Sequence, residues 1–381
     1  MPLHDTHQPL SENRLTMKAA SLLLTFLLCI AVAQAQNPII ETVTVLNEEL
    51  KENSGLLNLN GTLITHNDSE GEASLYEINT ETGAITRTVV VSNAENIDWE
   101  DIAQDQEYLY IGDIGNNTGS RTDLRIYRIR KSDYRHSRNT VTANIINFSY
   151  PDQDDFTPIN TSNFDAEAII ALHDSLYIFT KNWGNRQSTL YALPKVPGTY
   201  KAKRHGDFPT EGLITGGTYN SAKAEIMLIG YTPIQAFAFR INGFSGSNIT
   251  QGTTQRVELN LPLSTQGEAI CPSNDNGYYV SSEGNLVHAP TLYHLTFEVT
   301  TGSSPETLIS PTIIFPNPAR EWLHIGHPKQ VLTEVFDLSG KKRVSTWGKQ
   351  VNLGELQRGI YLVRISDGNG EQIASEKIML E

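Results

Sequence analysis

The sequence predicts an all-β chain: a five-bladed β-propeller followed by a small immunoglobulin-like β-sandwich. Three observations predict it. One four-strand layout recurs five times between residues 37 and 300. Short apolar runs alternate with Gly, Asn, Asp and Pro turn-formers along the chain. No stretch sustains the 3.6-residue periodicity of a long amphipathic helix.

Residues 1–35 read as an export signal. Met17-Lys18 opens a charged region, Ala19 to Val32 is apolar, and Ala33-Gln34-Ala35 is a small-x-small cleavage pattern. The polar stretch Met1 to Thr16 precedes a better start at Met17. The apolar run is shorter than the ~20 residues of a spanning helix, so no transmembrane span is expected in the mature chain. Leu28 precedes Cys29 where a lipoprotein signal carries Gly or Ala. Beyond the signal only Cys271 is left, and it reads as a buried small hydrophobe rather than half of a disulfide.

Residues 37–300 carry the repeat. The first strand of each copy opens on a polar triplet: Asp98-Trp99-Glu100 in the second, Asp165-Ala166-Glu167 in the third, Pro209-Thr210-Glu211 in the fourth and Gln266-Gly267-Glu268 in the fifth. The first copy has Asn53-Ser54-Gly55, with Ser54 in place of Glu. Second strands such as Tyr108–Asp113 and Glu225–Ile229 are continuous apolar runs, and third strands such as Leu124–Ile129 are rich in aromatic or aliphatic residues. Fourth strands are expected at Ile85–Val91, Thr142–Tyr150, Tyr200–Asp207 and Gln255–Leu259. The fifth copy lacks its own, and Ile40–Leu46 is placed to supply it and close the ring. Repeats of this length with four strands each build propeller blades, which close radially and leave few open edges. A six-bladed ring suits the length almost as well.

The net charge is −14 at pH 7. An acidic surface without a basic tract repels nucleic acid and anionic lipid, so neither is an expected partner. The chemistry-bearing residues are the repeated glutamates Glu100, Glu167, Glu211 and Glu268. In a propeller blade the start of the first strand shares a face with the loop after the second. That face gathers them with Asp68, Asp113, Asn116, Asn182 and Glu283. Two carboxylates about 4 Å apart repel by roughly 4 kcal/mol at an effective dielectric near 20, so such a ring needs protons, hydrogen bonds or a cation. Oxygen ligands without a His or Cys cluster favour Ca²⁺; His66, His173, His205 and His288 lack metal-ligand spacing. The alternative, glutamates that pin neighbouring blades through backbone amides, stays open. Arg121, Lys181, Arg186 and Asn182 lie in loops expected on the same face, where they suit an anionic ligand.

Three resemblances follow. Trp99-Glu100-Asp101-Ile102-Ala103 with Tyr110-Ile111-Gly112-Asp113-Ile114-Gly115-Asn116-Asn117 resembles esterase-like phytase propellers, and a Glu early in the first strand with Asp ending the second resembles gluconolactonase-type propellers. The latter resemblance implies an axial metal that polarises a substrate carbonyl. In the tail, Asn317-Pro318, Ser339-Gly340 and Asp367-Gly368 break short strand patterns such as Ile360-Tyr361-Leu362-Val363-Arg364-Ile365. The order Phe315-Pro316-Asn317-Pro318-Ala319, Val335-Phe336-Asp337-Leu338-Ser339-Gly340, Arg358-Gly359-Ile360-Tyr361-Leu362 and Lys377-Ile378-Met379-Leu380 resembles the type A C-terminal sorting domain of the type IX secretion system of Bacteroidota. It implies recognition of residues 311–381 by that machinery, after a linker at 301–310, and delivery through the periplasm to the outer surface or medium. Three readings fit the propeller: a module binding a glycan, peptide or anionic ligand on its glutamate-rich face, a Ca²⁺-dependent hydrolase of phosphate esters or lactones, and a purely structural envelope protein.

Overall fold

A computed structural model describes residues 38–69, 71–262, 265–285, 287–297, 313–327, 329–338, 340–368 and 372–381. The expected signal at 1–35 and linker at 301–310 lie outside the described residues. Between residues 38 and 297 the chain forms five antiparallel sheets of four strands, two of them extended by a fifth, parallel strand. Their first strands are Asn53–Leu59, Trp99–Gln104, Ala166–Leu172, Leu213–Asn220 and Gly267–Pro272. Each of these inner strands contacts the next, and Gly267–Pro272 contacts Asn53–Leu59, so the ring is closed. The architecture is a β-propeller.

The strand patterns follow from this stacking. Second strands lie between neighbouring sheets and are buried on both faces, which explains the unbroken apolar runs in Tyr108–Asp113, Ser175–Thr180 and Glu225–Tyr231. Outer strands such as Thr253–Glu258 are exposed or half-buried and correspondingly polar. A separate apolar cluster fills each gap between sheets. Trp99 with Ile64, Ile111 and Tyr127 joins the first sheet to the second; Phe179, Phe208, Phe237 and Phe239 join the third to the fourth.

Pro38–Val45 pairs antiparallel with Thr291–Phe297, from Pro38 opposite Phe297 to Val45 opposite Thr291. The N-terminal strand therefore completes the last sheet, as the sequence suggests. Two other edges are closed differently. Gly198–Lys201 pairs in parallel with Asn144–Ser149, and Thr140–Val141 with Ile85–Val91. The single strand expected at Tyr200–Asp207 is thus two: Gly198–Lys201 belongs to the second sheet and Lys203–Phe208 to the third. Covering an edge with backbone from the following repeat removes a template for unwanted pairing.

The inner strands end their sheets, so one backbone edge of each has no strand partner. Asp101 answers part of that deficit. Its carboxylate is fully buried and accepts N–H bonds from Ile102 (2.8 Å), Ile169 (2.9 Å) and Gly217 (3.1 Å). Those amides belong to inner strands of the second, third and fourth sheets. One side chain thereby ties three of the five sheets at the axis.

Residues 313–380 form the expected β-sandwich. One sheet has Trp322–Gly326 between Ile313–Phe315 and Gln350–Asn352; the other runs Lys342–Trp347, Leu332–Phe336, Gly359–Ser366, Gln372–Leu380. Leu323, Val335, Val351, Val363, Ile365 and Ile378 fill the space between them. Among the described residues no helix is long and apolar enough to cross a membrane.

Asp101→Asn replaces one acceptor oxygen with a donor and leaves at least one buried amide unpaired, at about 1–3 kcal/mol for each group. The expected result is a urea midpoint lowered by an amount equivalent to about 2–3 kcal/mol. An unchanged midpoint would show that the axis is held without this carboxylate.

Candidate functional site

Every inner strand carries a register break near its start. The breaks fall between Asn53 and Leu56, Trp99 and Asp101, Ala166 and Ala168, Ile214 and Gly216, and Gly267 and Ala269. A bulge interrupts the alternation of side chains and re-aims the extra residue. The residues at these breaks include Ser54 and are Glu100, Glu167, Thr215 and Glu268 in the other four strands. Ser54 Oγ donates to the Glu100 carbonyl (2.6 Å), and Thr215 Oγ1 donates to that of Gly267. Short hydroxyls at this position therefore pin the neighbouring sheet.

Glu211 is not the fourth bulge residue. It lies before the strand, is exposed and has a left-handed backbone (φ 53°), and its carbonyl accepts from Arg256 (2.9 Å). Thr215 takes the position instead. The fourth inner strand begins at Leu213, further along the chain than the polar triplet suggests.

The remaining glutamates are longer, buried, and gathered with aspartates. Carboxylate oxygens of Asp68, Asp98 and Glu100 lie within 4.8 Å of one another, and so do those of Glu100, Asp165 and Glu167. Glu100 belongs to both groups. It is 3% exposed, and its carboxylate, unlike its carbonyl, has no hydrogen-bond partner among the described residues. Gly115 makes this approach possible: a Cβ there would stand 2.1 Å from Glu100 Oε1 and 2.4 Å from Asp98 Oδ2. Asp165 is held from behind by the Asn116 amide (2.6 Å) and the Trp183 indole Nε1 (2.8 Å). Lys181 Nζ donates to Glu167 Oε1 at 2.6 Å and lies 5.1 Å from the centre of the Trp183 ring.

Like charge and burial set the protonation. Burial, then the nearby Asp68 and Asp165 charges, push Asp98 up to about 7. Burial and Glu283 push Asp68 up to about 6. Glu100 is lifted well above the carboxylate range by burial and by Glu167, Asp68, Asp98 and Asp165. Glu268 is raised by burial and Glu283. Burial pulls the Lys181 ammonium down, but adjacent Glu167 more than offsets this and keeps it charged.

Other expected site residues have internal duties. Asp113 pairs with Arg121 at 2.8 Å, and the same guanidinium donates to the Gly115 carbonyl (2.8 Å) and to Asp123 (3.1 Å). Arg121 thus braces the loop beneath Glu100 and is not a free anion clamp. Asn182 is buried, accepting from Thr180 Oγ1 (2.6 Å) and donating to Thr189 Oγ1 (3.3 Å). Arg186 is exposed, with φ 58°. Sequence reasoning missed Asp98 and Asp165 as members of the cluster. Their signal is an Asp two residues before the Glu in both Asp98-Trp99-Glu100 and Asp165-Ala166-Glu167.

Comparison with known proteins identifies the tail. Residues 313–381 match the secretion system C-terminal sorting domain. This is the type IX domain, which directs export to the cell surface or extracellular space. No curated protein matches the chain. Solved structures similar to it include exo-β-1,3-galactanase from Phanerochaete chrysosporium, at 11% identity over 90% of this chain and 100% of that one, with a TM-score of 0.42. The calcium-binding protein regucalcin from Agrobacterium tumefaciens shares 16% identity over 68% and 95%, with a TM-score of 0.37. Mannose phosphorylase from Leishmania mexicana shares 10% identity over 68% and 89%, also at 0.37. The propeller assignment rests on the sheet topology described above.

Raised carboxyl pKa values have a definite sign in stability. Between the unfolded value near 4 and the folded values near 6 and 7, the native state binds more protons, so its stability falls as pH rises. Metal-free protein is therefore expected to lose stability to urea from pH 4.5 to 7.5, and Asp98→Asn to flatten the slope. Wild-type stability rising through that window would contradict the arrangement.

Proposed function

We propose that this exported propeller is a cation-dependent binding module. Glu100, with Asp68, Asp98, Asp165 and Glu167, would hold Ca²⁺, and an oxygen of an anionic ligand would complete the coordination. The observation that carries this reading is the Glu100 carboxylate: buried, shared by two carboxylate triads and without a hydrogen-bond donor among the described residues. An all-carboxylate donor set is the chemistry of a hard divalent cation, not of zinc or copper. The bound ion would replace the protons that the cluster otherwise retains.

Lys181 supports a second reading, the hydrolase of phosphate esters or lactones. Its ammonium lies beside the carboxylates (Nζ to Glu167 Oε1 2.6 Å), where it would stabilise negative charge developing on a substrate. In that chemistry the cation supplies Lewis acidity or an activated water. The described carboxylates include no group whose geometry singles it out as the base, so the binding module is the first reading.

A cation bound only by the native state stabilises it by about 2.7 kcal/mol at a hundredfold excess over Kd. Chelator is expected to lower the Tm, and added Ca²⁺ to restore it. Glu100→Gln, which keeps the shape and loses the charge, should abolish the response while the fold persists. If the glutamates only pin neighbouring sheets, wild type and variant will be equally indifferent to chelator.

A further inference from the structure

The other mouth of the axis is a separate cavity of about 1030 Å³. It lies at the far ends of the inner strands, among the turns that lead into the second strands, and shares no residue with the carboxylate cluster. Leu57, Ile102, Ile170, Gly217 and Cys271, one from each inner strand, line it. Asp101 lies between Glu100 and Ile102 in sequence, so the pinned axis separates the cavity from the cluster.

The chemistry of the wall differs sharply from that of the acidic face. Its half-buried charges are engaged within the wall, though Arg128 has no carboxylate partner and its buried Nε no acceptor among the described residues. Lys195 Nζ pairs with Asp105 at 3.1 Å, while the Arg128 guanidinium donates to the Lys195 carbonyl (2.9 Å) and lies 4.2 Å over the Tyr108 ring. Apart from the exposed Glu107 carboxylate and the Arg128 Nε, the uncommitted groups are neutral. The side chains of Asn60, Gln106, Asn276, Thr218 and Tyr219 line the cavity and make no hydrogen bond among the described residues. Asn274 uses its oxygen to accept from Asn58 (3.2 Å) and keeps its NH₂ free. The inner strands add backbone N–H and C=O groups that no sheet partner uses. The result is a pocket at the upper end of the volume usual for small-molecule sites, in which apolar side chains alternate with polar donors and acceptors from several directions.

We propose that this second mouth binds a neutral oligosaccharide, independently of the cation site. A phosphate or carboxylate ligand would meet one half-buried cation without a carboxylate partner, Arg128, whose guanidinium is already bonded to the Lys195 carbonyl and stacked on Tyr108, and whose unpaired Nε is itself buried. An extended peptide pairs along a single strand edge, whereas five edges converge here, and strand pairing is directional. Sugar hydroxyls both donate and accept around a whole ring. The C–H face of a pyranose suits the apolar residues Leu57, Ile102 and Ile170.

The test is calorimetric titration of the mature full-length chain with cellotetraose, mannotetraose and chitotetraose, and with a blocked tetra-alanine peptide. At least one tetrasaccharide is expected to bind with Kd below about 1 mM, equally in chelator and in Ca²⁺. Asn274→Ala and Asn276→Gly should each weaken it several-fold; glycine tolerates the left-handed backbone of Asn276 (φ 67°), so that variant keeps its fold. Glu100→Gln should leave sugar binding unchanged, which separates this site from the cation site. Failure of all three sugars to bind, loss of binding in Glu100→Gln, or binding of the peptide instead would overturn the proposal.

Discussion

Five inner strands meet around one axis, each with an unpaired backbone edge, and the molecule is organised by how that deficit is met. Asp101 meets it for three sheets at once, by accepting the amides of Ile102, Ile169 and Gly217. Because these donors come from different repeats, the carboxylate fixes the inner strands relative to one another. The bulges just before it are fixed with them. Their side chains are therefore presented together at one mouth, while the first-strand turns open at the other.

The bulge position is used in two ways, and side-chain length divides them. Ser54 and Thr215 are short and bond to the backbone of the adjacent inner strand. Glu100, Glu167 and Glu268 are buried and long, and they meet one another with Asp68, Asp98, Asp165 and Glu283 close by. Lys181 is a buried ammonium among seven carboxyls. Raised pKa values express the outcome: burial and mutual repulsion favour the protonated form of Glu100, Glu167 and Glu268, while Asp68 and Asp98, at about 6 and 7, lose their protons near neutral pH.

Much of the fold was legible because repetition amplifies weak signals. Apolar second strands such as Tyr108–Asp113 recur with the same spacing, and the lone N-terminal strand matched the strand missing from the last copy. The parallel edge strands were not legible, since Thr140–Val141 and Gly198–Lys201 are too short to carry a pattern. Glu211 misled because Thr-Glu-Gly-Leu resembles the other triplets. The distance from Glu211 to its second strand at Glu225 is longer than that from Glu100 to Tyr108 or from Glu167 to Ser175, and that was the available clue. Arg121 misled for another reason: in sequence, a loop arginine that braces a buried aspartate looks the same as one that faces a ligand.

The central claim is that Glu100 and its neighbours hold a hard cation, and terbium luminescence tests it most directly. Tb³⁺ takes the oxygen ligands that Ca²⁺ takes, and the Trp183 indole that donates to Asp165 is close enough to sensitise it. The account predicts tryptophan-excited terbium emission from the purified propeller that Ca²⁺ displaces and Glu100→Gln abolishes. Emission that persists undiminished in Glu100→Gln, or no sensitised emission from the wild-type chain, would contradict it.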